Sequence, residues 1–169
     1  MKKEQIQKIL LENFVEFWPI YLLSEINRFR KMTEAAGSPT DAHIMQVVAW
    51  SYLLTTTLDQ KMEEKDFQSV LSAWNVGLQT KQDKKNGLGK RLTVSSIAHQ
   101  TSIAFETVRR RVAKLEEKGF ITNSRTHGIL LNPQSEFNKE IVQVLHPMEQ
   151  KSVVDMFHRF CGYMKESDR

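Results

Sequence analysis

Residues 92–133 read LTVSSIAHQTSIAFETVRRRVAKLEEKGFITNSRTHGILLNP, and this stretch decides the fold. Leu92 is a lone apolar position, and Thr93 after it suits the N-cap of a short helix carrying Ile97 and Ala98. The apolar pattern breaks at Thr101-Ser102 and resumes as a second helix from about 105 to 118. There Val108, Val112 and Leu115 recur at steps of four and three, a stripe that a core would bury. Two short helices around a break of three or four residues meet the requirement of a helix-turn-helix, whose second helix enters the major groove. Ala98 falls where the helices cross, and a small side chain there lets them approach. Gly119 closes the second helix. FIT (120–122) and GILL (128–131) then flank a polar stretch, which predicts a compact hairpin, or wing, over 120–131.

Helical geometry also sorts the outward face of the second helix. Glu106, Arg109, Arg110 and Ala113 oppose the buried stripe, while Arg111 and Lys114 lie on a flank. Arginine reads guanine edges and binds phosphate well, so Arg109 and Arg110 are candidate base contacts. Glu106 either accepts a hydrogen bond from cytosine N4 or pairs with Arg110 one turn on, worth roughly 0.2–0.5 kcal/mol. Phe105 either meets a thymine methyl or turns inward toward Val108 and Val112. Arg125 and His127 sit near the wing tip, within reach of a DNA backbone or minor groove, or simply in a solvated turn. With Thr93, Thr107, Arg111 and Lys114 they make up the candidate phosphate contacts.

The charge distribution points the same way. The chain carries a net charge of +4, but residues 1–80 hold 8 Lys/Arg against 10 Asp/Glu, a net of −2. Residues 81–127 hold 11 against 4, a net of +7, and residues 128–169 hold 5 against 6, a net of −1. Basic charge gathered in one segment of an otherwise slightly acidic chain is the pattern of a module that meets phosphates. A basic solvated surface would show it too.

Residues 92–133 resemble the winged helix-turn-helix of bacterial transcription regulators. They are most similar to the C-terminal DNA-binding domain of the cyclic-AMP receptor protein and fumarate–nitrate regulator superfamily. Thr93, Ile97, Ala98, Glu106, Thr107, Val108, Arg110, Leu115, Glu116, Gly119 and Ile121 match that domain's pattern, as does LLNP at 130–133. The resemblance implies base-reading roles for Glu106 and Arg110, whereas Arg109 is placed by geometry alone. Ala104 and Phe105 stand where many members have a capping serine and a base-reading arginine, and Ser102 replaces the usual turn glycine. Residues 1–80 are helical in pattern, where that superfamily has a β-roll sensor, so cyclic-nucleotide sensing is not implied. Helices on both sides of a central winged helix are similar in layout to regulators of the multiple-antibiotic-resistance type.

Outward from this core the chain reads as mainly α. Residues 4–31 have helical periodicity, with Pro19 either kinking one helix or beginning a second. Gly37 breaks the pattern, and Ser38-Pro39-Thr40-Asp41 is a helix start in which Ser38 caps and Asp41 completes an S-x-x-D box. A helix over about 39–60 carries Ile44, Val47, Val48 and Leu54, and a third helix about 64–80 carries Phe67, Val70, Leu71, Trp74 and Leu78. The charged KQDKKNGLGKR (81–91) reads as a linker. A last helix is expected over 138–164, either whole or divided at Pro147. The expected organisation is a helical effector or dimerisation region (1–80), a basic linker (81–91), the DNA-binding domain (92–133) and a C-terminal helix that offers a second route to a dimer.

A single winged helix reaches few base pairs, so a homodimer is expected. Trp18, Tyr21, Trp50, Tyr52 and Trp74 suit a subunit interface, a small apolar effector or plain core packing. Nucleophile elbow, Walker loop, dinucleotide fingerprint and H-E-x-x-H are all absent from the sequence, so no enzyme and no cofactor are expected. Asp155, His158 and Cys161 share a helix face, but a packed or exposed surface explains them better than a metal or redox site. The lone Cys161 fits a reducing, cytoplasmic setting, and VVAWSYLL (47–54) is too short to cross a bilayer. The alternatives to sequence-specific DNA binding are a winged-helix protein–protein module and a non-specific architectural DNA binder.

Overall fold

The computed structural model of the chain describes residues 3–57 and 91–167. The helix read over 64–80, with Trp74, and the linker residues 81–90 lie outside them. In order the elements are α1 (Lys3–Glu12), α2 (Phe14–Ala36), α3 (Pro39–Thr57), α4 (Val94–Thr101), α5 (Phe105–Glu117), β1 (Ile121–Ser124), β2 (Gly128–Leu131) and α6 (Glu136–Glu140). One π-helical turn (Ile141–Leu145) and α7 (His146–Ser167) complete them. The fold is mainly α with a two-stranded antiparallel hairpin after the helix-turn-helix, as the sequence pattern predicts.

The described residues group into two compact units whose limits differ from the expected ones. One joins the residues up to Lys31 with those from Gln143 onward; the other runs from Met32 to Val142. The reason is α3, which the sequence assigns to the N-terminal region. Gly37 turns the chain at φ +90°, the Ser38 Oγ accepts the Asp41 N–H at 3.1 Å, and Pro39 stands where no N–H is needed. The helix so started buries Ala42, Ile44, Met45, Val47, Val48 and Tyr52 against α4, α5 and β2. Ile97, Val108, Val112, Leu115, Ile121, Ile129 and Phe137 close the same core, and the Phe120 and Phe137 rings lie 5.4 Å apart. Each such side chain contributes about 1.5–3 kcal/mol by leaving water. The winged helix is therefore completed by α3 rather than tethered to it.

The other unit contains α1, most of α2 and α7. The break between α1 and α2 falls at Asn13 and not at Pro19. The Asn13 Nδ2 donates to the Ile9 carbonyl at 2.9 Å, and its own carbonyl accepts from Glu16 and Phe17 N–H at 3.2 and 3.0 Å. Pro19 sits inside α2, where its missing N–H leaves the carbonyl of Val15, a residue 82% exposed, to water. At the start of α7, Glu149 accepts from the Arg28 Nε at 2.5 Å and lies 3.0 Å from the His146 Nδ1. Among the described residues no helix is long and apolar enough to cross a membrane.

Candidate nucleic-acid interface

The interface begins with α4. Thr93 and Ser96 cap one another reciprocally: the Thr93 Oγ1 accepts the Ser96 N–H at 3.1 Å, and the Ser96 Oγ accepts the Thr93 N–H at 2.7 Å. Ile97 is fully buried, while Ala98, expected in the motif core, is only half-buried. Thr101, also buried, donates to the Ile97 carbonyl at 2.8 Å and accepts the Ile103 N–H at 3.3 Å, so it holds both sides of the turn. Ser102 makes the turn itself at φ 57°, a left-handed conformation that costs a non-glycine residue roughly 1–2 kcal/mol. Ala104 then stands at the N-cap of α5 with no side-chain bond to the helix.

Period and burial agree along α5. Val108, Val112 and Leu115 are buried, and Phe105, Glu106, Arg109 and Arg110 point outward. Phe105 is 49% exposed and does not turn inward. Glu106 pairs with Arg109, at 2.6 Å, and not with Arg110. Arg110 pairs with no described residue. Thr107 is half-buried, and Ala113 and Lys114 are exposed. Arg111 departs most from its expected place among the phosphate contacts: its Nη1 lies 3.4 Å from the Asp41 Oδ2 of α3. The helix ends in a Schellman motif, with Gly119 at φ 72°, the Phe120 N–H on the Leu115 carbonyl and the Gly119 N–H on the Glu116 carbonyl.

The hairpin pairs Ile121 with Leu131 through Ser124 with Gly128, leaving Arg125, Thr126 and His127 as an exposed three-residue loop. The His127 N–H donates to the Ser124 Oγ at 3.0 Å and the Asn123 N–H to the Glu116 Oε1 at 3.0 Å, which ties the wing to α5. The Asn132 side chain donates to the Gly119 carbonyl at 2.7 Å and fixes the other end. Behind the wing, the Leu92 carbonyl accepts the Ile129 N–H at 3.0 Å, so the chain entering α4 borders β2. Arg91 reaches from there to donate to the Arg125 carbonyl. Arg91 thus belongs to the wing and not to the expected linker, and its adjacency to Leu92, the apolar residue that opens the motif, is the signal in the sequence.

The remaining candidates belong to other elements. Trp18 and Tyr21 are exposed on α2, their rings 5.1 Å apart in a row with Phe14. Trp50 is exposed on α3, whereas Tyr52 is a core residue. Asp155, His158 and Cys161 are all exposed on α7, Asp155 lies 3.4 Å from the Lys151 Nζ, and no group of three His, Cys, Asp or Glu that could hold a metal occurs among the described residues.

Comparison with known proteins fits this geometry. Residues 90–122 match the family described as winged helix-turn-helix DNA-binding, a stretch that takes in α4, the turn, α5 and the first residues of β1. The match is to that domain type at large and does not separate the cyclic-AMP receptor superfamily or the multiple-antibiotic-resistance type from other regulators. Neither a curated protein nor a solved structure matches the chain significantly. The chain carries a winged helix-turn-helix of the DNA-binding kind.

Proposed function

We propose that this protein is a non-enzymatic transcription regulator that binds specific sequences in double-stranded DNA as a homodimer. One observation carries the reading. The N-terminal half of α5 turns Phe105, Glu106, Arg109 and Arg110 to solvent while its opposite face is sealed in the core, and a wing bearing Arg125 and His127 stands beside it. An α-helix fits the major groove, and two arginines and a carboxylate supply the donors and acceptor that distinguish base pairs there. Thr93, Thr107, Lys114, Arg125, His127 and Arg91 then suit the phosphates, which position the helix without reading sequence.

The homodimer rests on the unit built from α1, α2 and α7. Val15, Leu22, Ile26 and Phe29 of α2, and Val153, Val154 and Phe157 of α7, are large apolar residues left exposed. Exposed apolar stripes of this kind mark interaction surfaces. A second copy is the occupant that a two-fold-symmetric pair of DNA half-sites calls for. The aromatic row Phe14–Trp18–Tyr21 lies in this unit and suits the same interface better than an effector pocket.

Selection of bound duplexes from a random library, with wild type beside Arg110→Ala, tests the proposal. A two-fold-symmetric site should be enriched, and the substitution should weaken binding to it by about 1–3 kcal/mol with relaxed preference at one position. A folded protein that enriches no motif would sink the sequence-specific reading.

A further inference from the structure

Three consecutive arginines on a helix point in three directions, and the direction of Arg111 has a function of its own. Its guanidinium meets Asp41, whose side chain is only 5% exposed in the first turn of α3. Two turns further along α5, on the same side of the helix, the Lys118 Nζ donates to the Ala36 carbonyl at 3.2 Å, the last residue of α2. Gly37 makes the corner at φ +90°, and a Cβ there would lie 3.3 Å from that Nζ. Arg111 of α5 and Lys118 at its C-cap, seven residues apart, thus grip the two ends of one corner, Ala36 and Asp41.

The pair between Arg111 and Asp41 is not made as a stabiliser would be. Among the described residues, the Arg111 Nε and the Asp41 Oδ1 are both buried without a hydrogen-bond partner. A half-buried pair with a spare donor and a spare acceptor contributes little net stability, and setting register is the better-attested use of such pairs. The Ser38 Oγ on the Asp41 N–H fixes the backbone from which the carboxylate extends.

We infer that Arg111 and Lys118 are positioning residues, which clasp the α2–α3 corner and set how α5 is presented to DNA, rather than ligands of phosphate. The inference rests on the DNA-binding reading above. It makes an unusual demand: Asp41→Asn removes a negative charge from a DNA-binding unit, which by charge alone tightens binding, yet here it loosens it.

The test is titration of the full chain with a selected duplex and a random duplex, between about 50 and 200 mM salt. Asp41→Asn and Arg111→Gln should each weaken binding to the selected duplex roughly ten-fold with the salt slope of wild type. Lys114→Gln, a phosphate contact, should lower that slope by about 0.9. Arg111→Lys, which keeps the charge, should recover most of the affinity. Equal or tighter binding by Asp41→Asn, or a slope reduced in Arg111→Gln as in Lys114→Gln, would overturn the inference. If Asp41→Asn does not fold, Lys118→Gln carries the same expectation from a more exposed position. If wild type binds no duplex at all, the DNA-binding reading fails, and hydrogen exchange then decides the clasp separately. Faster exchange of α5 amides in Lys118→Gln, with α7 unchanged, supports it, and unchanged exchange in α5 refutes it.

Discussion

Glu106 and Arg109 hold each other on the solvent face of α5, with the carboxylate Oε2 2.6 Å from the arginine Nη2 and 2.9 Å from its Nε. The carboxylate thereby fixes one of the two outward arginines and leaves Arg110 without a partner among the described residues. Because the pair is exposed, Glu106→Ala should change stability by less than about 0.5 kcal/mol. Its effect belongs to recognition: affinity for random duplex should rise, and discrimination at one base position should fall. Melting curves together with titrations of matched and mismatched duplexes check both halves.

Ala104 gives α5 an N-cap whose side chain bonds nothing. Ala104→Ser supplies an oxygen for one of the unpaired N–H groups of the first turn and should stabilise the fold by about 0.5–1 kcal/mol. A thermal melt with no upward shift would show that those groups already have better partners in water.

Gly119 and Gly128 share a left-handed conformation but not an environment. A Cβ on Gly119 meets nothing within 4 Å, so Gly119→Ala should cost about 1 kcal/mol, from conformation alone. A Cβ on Gly128 would lie 2.5 Å from the Leu92 carbonyl oxygen and collide with the Arg91 side chain. Gly128→Ala should therefore cost about 2–4 kcal/mol and release the wing. Denaturant titration of the two variants side by side gives the order, and equal losses would contradict the close approach of residues 91–92 to β2.

Burial alone would raise the Glu149 carboxyl, but the hydrogen bond with His146 and the adjacent Arg28 guanidinium outweigh it and hold it below the usual carboxylate value. A depressed value in the folded state means stability that is present above the unfolded value of about 4.3 and lost as pH falls through the folded one. Glu149→Gln should lower stability at neutral pH and flatten its decline in acid. Unfolding midpoints from pH 7 down to about 3 measure this.

Ile26 is 63% exposed on α2, so a charge there should leave the protomer's own fold intact. Ile26→Lys should instead convert a dimer to a monomer and weaken binding to a symmetric site. Light scattering reads the mass directly; an unchanged dimer would move the interface off this face.

The sequence makes legible whatever depends on local period and local chemistry. Val108, Val112 and Leu115 fall on the buried stripe because 3.6 residues per turn leave no other arrangement. Ser38 and Gly119 mark helix ends for reasons contained within five residues of each. What escapes is the identity of the surface across the way. Asp41 reads as half of a capping box, yet its carboxylate serves an arginine 70 residues further along. Periodicity tells which face of α3 is apolar but not that α4, α5 and β2 lie against it. The break at Asn13 is a middle case: asparagine is a good cap, but proline six residues later is the louder signal.

On the proposed DNA-binding reading, the inward turn of Arg111 and Lys118 also bears on how long the protein would dwell on wrong sequences. Eleven cations between residues 81 and 127 suggest a strong hold on any duplex, but these two face the protein's own backbone and carboxylate. Fewer condensed counterions are then displaced on contact than the count implies, and attachment to random DNA is correspondingly shorter. For the proposed regulator, a search by brief touches, ending where Arg109 and Arg110 would find their bases, follows from that economy of outward charge.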